Sequence, residues 1–138
     1  MIDFVAIVGE ACKDAPDLQA AVVFGSALES DRPGDLDLAL LWRPELPAQE
    51  RWRRANAIAS AIEHRLAGHD LNVDVKDLRS LPLVLQHRVL QSGKVACLHD
   101  RKAWVRFNSE IVPRALDFLP FYRRALRASV RKVAGDRS

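Results

Sequence analysis

Val22-Val23-Phe24-Gly25-Ser26, then eight residues, then Asp35-Leu36-Asp37-Leu38, is the stretch that decides the fold. The apolar run Ala20 to Phe24 ends in a glycine and reads as a buried strand. Pro33-Gly34 is a turn pair, and Asp35-Leu36-Asp37-Leu38-Ala39-Leu40-Leu41 follows it. The first half of that segment alternates acid and leucine, as a strand does when one face is apolar and the other lines a polar cleft. Period two puts the carboxylates of Asp35 and Asp37 on the same face. Like charges held that close raise a pKa unless a cation lies between them. Hard oxygen ligands on a rigid element suit Mg²⁺ or Mn²⁺. Taken alone, the pair is also compatible with a solvated acidic edge.

Working outward, Leu71-Asn72-Val73-Asp74-Val75 returns to alternation, with Asn72, Asp74 and Lys76 on one face and Val73 and Val75 on the other. If this strand neighbours the first acidic one, Asp74 becomes a third carboxylate. Asp35, Asp37 and Asp74 then make a cluster suited to two divalent metals and to in-line displacement at phosphorus. Asp74 is the candidate general base toward an acceptor hydroxyl. Asp77 falls on the opposite face or beyond the strand end and reads as structural. On the other flank, Gly25 permits close backbone approach, and Ser26 opens a short helical turn whose N–H groups and hydroxyl suit a phosphate.

The remaining elements alternate around these strands. A helix is expected over residues 2–12, and another over residues 48–67 with Trp52, Ala55, Ile58, Ala59, Ile62 and Leu66 on its apolar stripe. A third helix starts at Pro82 and ends at Ser92-Gly93. Lys94 to Leu98 is a short strand, and a last helix runs from about Asp100 to Lys132, with Pro113 and Pro120 as points where a break can fall. Alternating helices and strands predict an α/β or α+β class, a small mixed sheet flanked by helices. The 138 residues suit a single domain spanning 1–138.

No apolar run reaches the roughly 20 residues of a membrane span, and the N-terminus lacks the pattern of a signal peptide, so a cytoplasmic protein is expected. Cys12 and Cys97 are distant in sequence and read as free thiols, and the four histidines show no ligand spacing. From Phe121 onward six basic residues face one acid. Without interleaved aromatics that run does not predict direct nucleic-acid binding.

Val23-Phe24-Gly25-Ser26, Asp35-Leu36-Asp37-Leu38 and Val73-Asp74-Val75 together resemble the DNA polymerase β-type nucleotidyltransferase superfamily. Within it the chain is similar to the minimal nucleotidyltransferases of the MntA type, through Val89-Leu90-Gln91-Ser92-Gly93-Lys94 and a closing helix around Asp117-Phe118 as well. The resemblance implies a polymerase β-like fold, Gly25 and Ser26 as the nucleotide-binding pair, and Asp35, Asp37 and Asp74 as metal and catalytic acids. It also implies ATP as substrate, with AMP passed to a tyrosine of a HEPN-domain ribonuclease toxin that the protein thereby silences as antitoxin. Two departures stand out: the Ser26–Asp35 loop is shorter than is common in the family, and Ala27-Leu28 replace an arginine often found after the serine.

So small a chain can hold a nucleotide triphosphate but has little room for an acceptor. A partner, or a second copy in a homo-oligomer, is expected to complete the cleft. The segment from about 100 to 138, with Phe118, Leu119, Phe121 and Tyr122 before the basic run, is the candidate docking element. Alternative functions are a non-catalytic antitoxin on the same fold and transfer to a small molecule such as an aminoglycoside.

Overall fold

The computed structural model describes residues 2–30 and 34–136, and within the last helix it leaves out the side chains of 119, 121–123 and 125–136. Along the chain come α1 (Phe4–Cys12), β1 (Leu18–Phe24), a 3₁₀ turn (Gly25–Leu28), β2 (Asp35–Trp42) and α2 (Ala48–Arg65). They are followed by β3 (Asn72–Asp77), a second 3₁₀ turn (Leu78–Ser80), α3 (Leu83–Ser92), β4 (Lys94–Leu98) and α4 (Arg101–Asp136). The four strands form one mixed sheet in the order β3-β2-β1-β4. β1 is antiparallel to both β2 and β4, and β2 runs parallel to β3. A parallel pair needs a crossover, which α2 supplies.

Helices cover both faces, so the architecture is α+β. On one face Leu36, Leu38, Leu40 and Trp42 of β2 and Ala21 and Val23 of β1 pack with Phe4, Val8 and Cys12 of α1 and Ile58 and Ile62 of α2. On the other, Ala20, Val22, Ala39 and Leu41 pack with Val89 of α3 and Phe107 and Ile111 of α4. This double coverage explains why β2 reads as an alternating strand at its start and as a solid apolar run at its end. Asp35 and Asp37 continue the Ala39–Leu41 face at the end that α3 and α4 do not cover. The close fit of α1 on β4 depends on Gly9, where a Cβ would lie 2.6 Å from the Ala96 carbonyl oxygen.

Two expectations are corrected. Trp52 is not on the buried stripe of α2: it is 71% exposed, while Ile58, Ile62 and Leu66 are buried as expected. Arg51 takes the inward position instead, its Nε 3.0 Å from Asp77 Oδ2, in an ion pair too bent to count as a hydrogen bond. The last helix does not break at Pro113 or Pro120. A helix-interior proline costs about 3 kcal/mol, but Phe107 and Ile111 before Pro113 and Ala115 after it are all buried and hold the two segments in line. Cys12 and Cys97 are free thiols, as expected, and although far apart in sequence they lie close in space. Cys97 Sγ lies 3.8 Å from the Cys12 carbonyl oxygen, and His99 Nε2 is 3.0 Å from that oxygen and 3.1 Å from Cys97 Sγ. Burial pushes the Cys12 thiol up to about 12, the state of an inert, protonated core residue.

Most side chains of the aromatic and basic docking segment expected from Phe118 onward, those of Leu119, Phe121 and Tyr122 included, lie outside what the structure describes. Among the described residues no helix is long and apolar enough to cross a membrane.

At the end of the sheet away from Asp35, Asp17 ties three elements together. It adopts a left-handed backbone, φ 64°, accepts from Arg43 Nη1 at 3.0 Å and Arg54 Nη1 at 2.7 Å, and its carbonyl accepts from Arg43 N. The hydrogen bond from Arg54, with Arg43 adding to it, lowers the proton affinity of the Asp17 carboxyl. Its stabilising contribution is therefore complete above the ordinary value of 3.8 and disappears as pH falls through the lower folded-state value. Asp17→Asn keeps a residue that tolerates the left-handed region. It is expected to lower Tm at neutral pH, with the gap to the parent closing in thermal scans below pH 3.8. A gap that ignores pH would take the ion pairs out of the account.

Candidate active site

Strand pairing builds the site. Parallel register sets Asp37 opposite Asp74 and Asp35 opposite Asn72, and partners in a parallel pair point to the same face of the sheet. Antiparallel register sets Phe24 opposite Asp37, so the chain leaves β1 and enters the Gly25 turn directly beside the acids. Asp35, Asp37, Asp74, Gly25 and Ser26 thus gather at one end of the sheet, on the face shared with α3 and α4. Asp77 points the other way, toward Arg51 of α2, and accepts from Ser80 Oγ at 3.1 Å. Its structural reading holds.

Gly25 is required twice over. Its φ is +80°, and a Cβ there would lie 2.6 Å from Asp37 Oδ2. The carboxylate fills the space a side chain would need. Beyond Gly25 the chain turns at once into the 3₁₀ segment, where the Ser26 carbonyl accepts from Glu29 N and Ser30 N, each at 3.0 Å. The Ser26 hydroxyl is 3.4 Å from the Asp35 carbonyl oxygen, a long contact that holds it loosely.

Electrostatics follow from the same geometry. Asp37 is partly buried, and burial, then the charges of Asp74 and Asp35, raises its proton affinity, with Lys76 opposing. Lys76 Nζ is 3.4 Å from Asp74 Oδ2. Among the described residues no three acidic, histidine or cysteine side chains are already closed into a metal-ligand set. Asp74 is thus paired with Lys76, while Asp37 faces the charges of its two acidic neighbours.

Two results are expected. Gly25→Ala should cost about 1–3 kcal/mol, and adding Asp37→Ala in the same chain should recover only the part due to the clash, as read from denaturant midpoints. Asp37→Asn alone, in chelator at neutral pH, should raise Tm because it removes a partly buried charge that two others repel. A lower Tm would mean that the Asp37 carboxylate is a structural anchor.

Residues 8–102 match the family described as polymerase beta, nucleotidyltransferase. Over 81 residues the chain is 37% identical to the protein adenylyltransferase MntA of Shewanella oneidensis, covering 57% of this chain and 53% of that protein. It therefore spans about half the length of the curated relative it matches. A chain in a crystal structure of a toxin–antitoxin with AMP-PNP is 26% identical with a TM-score of 0.64, over 94% of this chain and 99% of that one. A chain in the complex of tri-AMPylated Shewanella oneidensis HEPN toxin with MNT antitoxin is 28% identical with a TM-score of 0.59, over 88% and 91%.

Proposed function

Because this chain belongs to the polymerase beta nucleotidyltransferase family, we propose that it is a metal-dependent nucleotidyltransferase that passes AMP from ATP to a tyrosine hydroxyl of a HEPN-type toxin partner and so acts as an antitoxin in the cytoplasm. The observation that carries this reading is the register that sets Asp74 against Asp37 beside the Gly25 turn. Three carboxylates crowded on one face oppose folding unless they serve a cation. The name of the Shewanella relative, protein adenylyltransferase, supports the reaction class. The AMP-PNP and tri-AMPylated toxin complexes support the nucleotide and the partner.

The residues fit a divalent cation. They are all-oxygen donors on two adjoining strands, and Asp37 binds a proton more tightly through burial first and then through the charges of Asp74 and Asp35. Asp35, Asp37 and Asp74 would hold Mg²⁺ or Mn²⁺, which supplies Lewis-acid stabilisation of charge on the phosphate oxygens. The chain's own groups do the rest. The Gly25 backbone and Ser26 hydroxyl hold the phosphate tail, and Asp74 accepts the proton of the attacking tyrosine hydroxyl. A bond forms from that oxygen to the α-phosphorus, the bond from the α-phosphorus to the bridging oxygen breaks, and pyrophosphate leaves with the electron pair.

The short Ser26–Asp35 loop favours a second reading, a non-catalytic antitoxin that neutralises its partner by occlusion. Transfer of label from the α-phosphate of ATP to the HEPN-domain protein encoded alongside distinguishes the two. The parent should label a tyrosine of that protein in the presence of Mg²⁺. Asp35→Asn and Asp37→Asn should each lose at least about a hundredfold in rate, the scale on which one preorganised electrostatic group matters. A complex that forms and neutralises without any label would establish the occluding antitoxin.

A further inference from the structure

Resting on that reading, we propose that the outer edge of β3, with Trp52 of α2, is the docking groove for the acceptor: an extended, tyrosine-bearing segment of the partner protein. In-line displacement puts the attacking oxygen and the leaving pyrophosphate on opposite sides of phosphorus. With the phosphate tail at the Gly25 turn after β1, the acceptor oxygen approaches from the far side of Asp37. In the order β3-β2-β1-β4 that side is β3, which carries Asp74 and has no strand beyond it among the described residues.

The edge is equipped to receive a main chain. Asn72 N donates inward to the Gly34 carbonyl at 3.2 Å. By the alternation of a parallel strand, the N–H and C=O groups of Val73 and Val75 therefore face outward. Beside them a groove of about 290 Å³ lies against α2, lined among others by Trp52, Arg51, Val75, Lys76 and Asp77. Trp52, at 71% exposed, forms its lip, an uncommon placement for so large an apolar ring and the kind of residue that dominates protein interfaces.

Lys76 joins the groove to the reaction centre, since it lines the groove and also pairs with Asp74. The two sites lie on opposite faces of β3, and this fits a strand laid along the edge. Its side chains alternate between faces. When its tyrosine points to the Asp74 face, the residues on either side of that tyrosine point to the Trp52 face. The partner segment that fits is extended, with an apolar residue adjacent to the modified tyrosine.

Label transfer is measured against acceptor concentration for the parent, Trp52→Ala and Val75→Pro; the last removes an outward N–H that serves no ladder bond. The expected result is an acceptor KM raised about tenfold or more in Trp52→Ala with kcat and the KM for ATP unchanged, the pattern of lost uniform binding. In a second measurement, a tryptophan-free peptide spanning the labelled tyrosine should shift Trp52 fluorescence to the blue, and Trp52→Phe should lose that shift. Equal acceptor KM values in a parent that does transfer label would overturn the groove and leave the nucleotidyltransferase standing. No transfer by the parent would remove both. A Trp52 shift that follows protein concentration without peptide would assign the edge to a second copy and sink the proposal.

Discussion

Everything at the site depends on one register, the parallel pairing of β2 with β3. It sets Asp37 against Asp74, and a slip of β3 by one residue would put Val73 or Val75 in the place of Asp74 and turn the acid toward the core face. Register is strongly held where burial differs between faces, and here it does. Leu36, Leu38 and Leu40 are fully buried under α1 and α2, so the hydrophobic contacts that stabilise the fold also fix the positions of the carboxylates. The knot at Asp17, which joins the loop before β1 to Arg43 after β2 and Arg54 on α2, secures the far end of the same unit.

The carboxylate end works against folding. Asp37 is partly buried beside two anions, Gly25 is held in a left-handed conformation, and the Ser26 hydroxyl makes only a long contact. These are local departures from what stability alone would select, gathered within a few residues, as functional sites require. The compensation is visible in the rest of the sheet, where β1 and the second half of β2 are buried on both faces.

Much of this was legible in the sequence because it follows from period two. Alternation in Asp35-Leu36-Asp37-Leu38 and in Asn72-Val73-Asp74-Val75 placed three acids on strand faces, and a glycine after an apolar run marked the turn. That the two strands are neighbours was a condition no local pattern could supply; it depends on the α2 crossover. The resemblance to nucleotidyltransferases carried the partner and the nucleotide, which spacing alone did not. Trp52 reads as part of the stripe because it is an apolar residue near the start of a helical pattern, yet it lies off that face. At 100° per residue it sits about 120° from Ile58, while Arg51 sits only about 20° away. Pro113 and Pro120 read as breaks because tertiary packing on both sides of Pro113 is invisible to a local rule. The meeting of Cys12, Cys97 and His99 spans most of the chain and left no mark in spacing.

The contact between Gly25 and Asp37 orders how such a site can be lost in descent. Position 37 can drift freely once chemistry is no longer selected, since replacing the aspartate relieves repulsion and opens space. Position 25 cannot drift first, because any side chain meets the carboxylate, and even afterwards its positive φ keeps most residues out. Retired copies of this fold should therefore be recognised by an intact glycine facing a missing acid, and the reverse combination should be rare.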